Sequence, residues 1–113
     1  MHYLLFYHVR DDYVECRQPY RRAHLTLAQE YVARGELILG GALDEPVDQA
    51  VLLFRVDDPK TIEAFVQRDP YVQQGLVQTW QIRKWLTVVG SEACVAVPAE
   101  MTQAAMPPDG GKG

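Results

Sequence analysis

Cysteine is scarce in this chain: 113 residues contain two, Cys16 and Cys94. Two cysteines build no disulfide framework, and they read as single thiols of a reducing, cytoplasmic compartment. Basic runs are absent as well. YRR at 20–22 is too short to count as one, and 11 lysines and arginines stand against 15 aspartates and glutamates, a formal charge of −4. That balance argues against nucleic acid as a partner. No hydrophobic run is long enough to span a bilayer. The apolar start, MHYLLFYHV, has neither a positive n-region nor a small-residue cleavage site, so it reads as a strand and not as a signal peptide or membrane anchor. No internal repeat is evident, and GELILGG (35–41) lacks the phosphate-loop pattern.

What is present is ordinary for a globular protein: 48% hydrophobic and 23% charged residues, enough for one core in one domain. Residues 2–9 are rich in Tyr, Leu, Phe and Val and apolar on both parities, which predicts a strand covered on both faces. Residues 10–18 are polar and read as a loop. Pro19 suits the first turn of a helix that runs to about Arg34, with Gly35 closing it. ELILGGAL (36–43) and AVLLFRV (50–56) form an antiparallel pair around the turn chemistry of DEPVDQ (44–49). In DDP (57–59), Asp58 reads as N-cap and Pro59 as N1 of a second helix, on which Ile62, Phe65 and Val66 are spaced to face the core. Asp69-Pro70 breaks that helix and starts a short helical piece closed by Gly75. TWQIRKWLTVV (79–89) alternates and reads as the last strand.

The order β-α-β-β-α-β is that of an α+β, ferredoxin-like fold: a four-stranded antiparallel sheet with both helices on one face. One sheet face would then be bare although the first and last strands are apolar or aromatic on both parities. An exposed apolar sheet marks an interface, so the economical expectation is a homodimer through the sheet face. The domain is expected over 1–90. Residues 91–113, rich in Ala, Pro and Gly and without aromatics, are expected to be a mobile or edge-packing tail.

Two residues interrupt the apolar stripes. His24 lies on the stripe of Tyr20, Leu27, Ala28 and Tyr31. Asp69 stands four residues after Phe65, where the next core residue belongs. A carboxylate buried alone costs several kcal/mol, so it wants a partner, and two helices on one sheet face can bring His24 to it. A carboxylate on one imidazole nitrogen fixes the tautomer and raises the basicity of the other, which makes a general base or acid. Arg21, one turn before His24, and Tyr71, just after the break, are candidate substrate-binding groups for a developing oxyanion. Bland readings stand beside these: a satisfied core histidine, Asp69 as a helix cap, Arg21 solvated, Tyr71 packing. His2, His8 and His24 match no metal-ligand spacing, and no metal is expected. Cys16 reads as a plain surface thiol, although Arg10 and Arg17 nearby would act to lower its pKa. Trp80 and Trp85 are five apart and point to opposite faces of a strand, one toward the pocket and one toward the bare face.

The strand YLLFYH, the RRAHL helix, GELILGGAL and above all RDPYVQQGLV together resemble the YciI-like (YCII-related) proteins over residues 1–89. The resemblance implies a ferredoxin-like fold that dimerises as an α/β barrel. It also implies a His and Asp acid–base pair, here His24 and Asp69. The fold's broader relatives include lactone isomerases, cofactor-free monooxygenases and dehydrohalogenase-type lyases on small ring compounds. The expectation is a small enzyme without a tightly bound cofactor, performing elimination or isomerisation on a small cyclic or aromatic metabolite. The alternative is a non-catalytic dimeric module that only binds such a molecule.

Overall fold

The computed structural model describes residues 1–98. Its elements are β1 (His2–Val9), α1 (Tyr13–Cys16), α2 (Gln18–Ala33), β2 (Leu37–Ala42), β3 (Gln49–Arg55), α3 (Lys60–Arg68), α4 (Pro70–Gln73) and β4 (Val77–Trp85). The four strands form one sheet in the order β2-β3-β1-β4, antiparallel at each pairing. This is the α+β arrangement expected from the sequence, an open sheet with its helices on one face.

The two parities of β1 are put to different uses. Tyr3, Leu5, Tyr7 and Val9 are buried under the helices, the first three in register with Phe54, Leu52 and Ala50 of β3. Leu4 and Phe6 face the other way, opposite Leu53 and Val51. α3 inserts Ile62, Phe65 and Val66 fully into the core. α2 contributes Leu27 and Tyr31, and Tyr31 meets Phe54 and Phe65 edge-on at centroid distances of 6.4 and 5.1 Å. Such pairs add ~0.5–1.5 kcal/mol beyond their buried area, and these tie α2 to both the sheet and α3. At the surface Arg68 grips Glu30 with two nitrogens, at 2.9 and 3.0 Å, across the same two helices. Gly35 (φ 76°) and Gly75 (φ 77°) take the left-handed conformation that turns the chain out of α2 and α4.

Several boundaries differ from expectation for local reasons. The polar stretch 10–18 contains the helical turn α1, because Tyr13 is buried edge-on against Tyr71 at 5.5 Å. Helix α3 starts one residue later than expected, with Asp58 accepting from the Lys60 N–H at 2.9 Å. The last strand ends at Trp85 and not at 89, since its partner β1 runs out at His2. The chain then folds back: Cys94 and Val95 donate to the Thr87 carbonyl at 3.1 and 2.9 Å. His2 is buried by this return, its Nδ1 2.7 Å from Thr87 Oγ1 and 3.4 Å from Cys94 Sγ, and Arg55 pairs with Glu92 at 2.8 Å. Residues 91–98 form no edge strand, and the rest of the expected tail lies outside the described residues.

Candidate active site

Asp69 precedes a proline, which disfavours helical backbone at that residue. It adopts an extended conformation (φ −76°, ψ 118°) between α3 and α4 and caps α4 by accepting from the Tyr71 N–H at 3.0 Å. The capping and orienting roles therefore fall on one side chain. The oxygen that takes the cap, Oδ1, also lies 2.9 Å from His24 Nδ1, and Oδ2 accepts from the Tyr7 hydroxyl at 2.7 Å. The carboxylate is completely shielded from water, and three donors offset its charge.

Nδ1 of His24 faces a carboxylate, so the proton belongs on Nδ1 and Nε2 is left as the acceptor nitrogen. The ring is fixed a second way: Tyr71 lies parallel to it, with centroids 3.9 Å apart and planes 11° from parallel. His24 opens onto a cavity of about 350 Å³ between α2, β2 and the sheet. Arg17 and Arg21, one turn apart, line its polar side with Tyr13 and Tyr71, while Ala28, Val32, Leu37 and Leu52 line its apolar side. A side chain at Gly40 would crowd the lining residue Leu52, because a Cβ there would stand 3.2 Å from Leu52 Cγ.

The hydroxyls around the site are held as neutral donors. Burial first, then the charge of Asp69 and the hydrogen bond to it, push the Tyr7 pKa far above that of a free tyrosine. Burial likewise raises Tyr13 and Tyr71, and the positive charge of Arg17 and Arg21 works against it at both. The Tyr71 hydroxyl is buried and has no hydrogen-bond partner among the described residues.

The structure thus brings His24, Asp69, Arg21 and Tyr71 to one place. It leaves the other candidates elsewhere. His2 and His8 lie on the far sheet face, in register with Trp85 and Thr79. No three His, Cys, Asp or Glu among the described residues could hold a metal ion. At Cys16 the neighbouring Asp12, and then burial, raise the thiol pKa and outweigh the lowering by Arg10, in keeping with a plain thiol. Trp80 pairs with Tyr7 and so shares the helix-side face, but it does not line the cavity, while Trp85 sits on the far face.

A family model, the YCII-related domain, matches residues 1–86. The chain belongs to the YCII-related family. No curated protein matches it. Among solved structures it is similar to the 5-chloro-2-hydroxyhydroquinone dehydrochlorinase of Burkholderia phenoliruptrix, solved with 2,5-dihydroxybenzoquinone. That likeness has a TM-score of 0.66 at 20% identity, over 78% of this chain and 96% of the other. A protein of Agrobacterium tumefaciens aligns with a TM-score of 0.53 at 11% identity, over 85% of this chain and all of the other. At these identities the likeness is one of fold.

Three residues of the site in this YCII-related chain escaped sequence reasoning. Tyr7 carries its signal in parity, a hydroxyl in mid-strand on the helix-side face. Arg17, with Arg21 and His24, follows i, i+4, i+7 spacing along one face of α2. Tyr13 had no signal, since its turn read as loop.

Proposed function

We propose that this YCII-related protein is an acid–base enzyme acting on a small cyclic or aromatic metabolite, with His24 as proton carrier and Asp69 as the group that orients it. The observation that carries this reading is the 2.9 Å contact between His24 Nδ1 and a fully buried Asp69. It commits Nδ1 and leaves Nε2 to a molecule in the cavity. In an elimination, Nε2 takes a proton from the substrate. The electrons of that bond form the new double bond, and the leaving group departs from the neighbouring carbon with its own pair. Isomerisation uses the same abstraction and returns the proton elsewhere. Arg21 and Tyr71 stabilise the oxyanion that develops between these steps.

The dehydrochlorinase of similar fold makes halogenated hydroxyhydroquinones the first compounds to try. Turnover by the wild type, lost by about a hundredfold or more in His24→Gln with substrate still bound, supports the reading. Saturable binding of 2,5-dihydroxybenzoquinone with no turnover of any enolisable or halogenated ring compound supports the binding module instead.

A homodimer through the sheet face belongs to the same reading. On the face away from the helices, Leu4, Val51, Leu53 and Trp85 line an apolar groove beside Leu39, which is 71% exposed. Pairing two such faces removes that surface from water. No helix among the described residues is long and apolar enough to cross a membrane. The unpaired thiols of Cys16 and Cys94 fit the cytoplasm.

A further inference from the structure

The cavity beside His24 carries charge of one sign. Its lining has two guanidiniums, Arg17 and Arg21, and no carboxylate among the described residues, in a chain with an excess of acidic residues. Asp69 stands behind the wall with its oxygens engaged by Tyr7, His24 and the Tyr71 N–H. Arg10, Arg34, Arg55 and Arg68 each pair with a carboxylate, whereas no such pair forms at Arg17 or Arg21 among the described residues. Arg17 instead lies over the Tyr13 ring, 5.1 Å from its centroid. Two buried polar atoms of the lining residues, Arg17 Nε and the Tyr71 hydroxyl oxygen, have no partner among the described residues. Buried donors without acceptors are costly unless something brings acceptors to them.

The polarity is graded along α2. Arg17, Arg21, His24, Ala28 and Val32 follow one another down one helix face and all line the cavity. Three residues of rise, ~4.5 Å, separate Arg21 from His24, and ~12 Å separates His24 from Val32. A ligand lying along this face has its charged group one helical turn from the imidazole and its apolar body toward Ala28, Leu37 and Leu52.

We infer that the cavity takes a small organic anion, a single-ring compound bearing a carboxylate-type oxygen pair that Arg17 and Arg21 grip and the Tyr71 hydroxyl hydrogen-bonds. The separation along α2 sets the class. The anionic group is attached directly to the ring, so that a ring atom next to it reaches His24 Nε2. Arg17 and Arg21 are binding residues in this account. The inference rests on the cavity being the substrate site, and it does not require His24 to act as a base.

Benzoate serves as probe and benzamide as its neutral counterpart of similar shape. Calorimetric titration of the wild-type chain is expected to show saturable benzoate binding that weakens with added salt, and benzamide binding weaker by about tenfold or more. Arg17→Gln and Arg21→Gln are each expected to lower benzoate affinity by about tenfold and to leave benzamide nearly unchanged. NMR of the wild type gives a second reading free of folding defects in the variants, because benzoate should shift the ring signals of Tyr71 and Tyr13. Equal affinity for benzoate and benzamide, or benzoate shifts that avoid Tyr71, overturns the inference. Since binding is read without turnover, a failure of His24 as a base shows in the enzyme assay and leaves this result standing.

Discussion

The imidazole of His24 and the phenol ring of Tyr71 lie face to face at 3.9 Å, and one carboxylate, Asp69, holds both residues in place. It binds the imidazole through its side chain and Tyr71 through its backbone N–H. A helix cap and a ring orientation are therefore a single piece of structure. Any change at Asp69 moves both walls of the cavity's end at His24 and Tyr71.

Tyr71 separates the two contributions of its ring and its hydroxyl. Tyr71→Phe keeps the stack and the cap and removes a buried hydroxyl that has no partner among the described residues, so stability should change by less than about 1 kcal/mol. Ligand affinity should still fall. Tyr71→Ala removes the stack and leaves a cavity, at a cost of ~3–5 kcal/mol. Urea melts of the two variants, set beside a binding titration of the Phe variant, check both statements.

Tyr7 gives a pH dependence with a definite sign. Its folded-state pKa is raised above the ordinary 10.0, by burial first and then by Asp69. Below that value both folded and unfolded chains keep the proton and the stabilisation is fully present. Above it the unfolded chain loses the proton first, so stability should fall with rising pH by ~1.4 kcal/mol per unit for each such tyrosine. Tyr13 and Tyr71 are shifted in the same direction. Tyr7→Phe should be less stable at neutral pH by ~1.5–3 kcal/mol, because Oδ2 loses its donor. It should then decline less steeply with alkali. Urea midpoints of both proteins at about pH 8 and above pH 10 decide this, and equal alkaline slopes would contradict it.

Gly40 tests whether the cavity is the working space. A side chain there meets Leu52 at 3.2 Å from its first carbon and extends into the lining. Gly40→Val should abolish ligand binding while the His24–Asp69 contact, which it does not touch, survives. Loss of binding with retained helical and sheet signals in circular dichroism is the expected outcome.

The sheet face away from the helices makes a separate prediction. Wild-type protein should sediment as a dimer, and Val51→Lys, which places a charge opposite Phe6 in the middle of that face, should yield a folded monomer. A monomeric wild type would remove the sheet face from the account.

Period-two and helical patterning made most of the fold legible in the sequence. Ile62, Phe65 and Val66 announced one core face, and the anomaly of Asp69 on that same stripe pointed to the site. What patterning missed depended on distant partners. Tyr13 is helical because it packs on Tyr71, 58 positions later in the chain. The last strand stops at Trp85 because β1 begins at His2. Cys16 meets Asp12 through the turn of α1, so its charge environment could not be read from the arginines beside it in sequence.

The most direct test of the central claim is the tautomer of His24, read from its ring nitrogen-15 shifts at alkaline pH, where imidazoles are uncharged. With Asp69 as acceptor, the wild type should carry its proton on Nδ1 and present a bare Nε2, and Asp69→Asn should move the population toward Nε2–H. A wild-type ring protonated on Nε2, or one whose shifts are unchanged by Asp69→Asn, would show that Asp69 does not orient His24, and the acid–base account would fail.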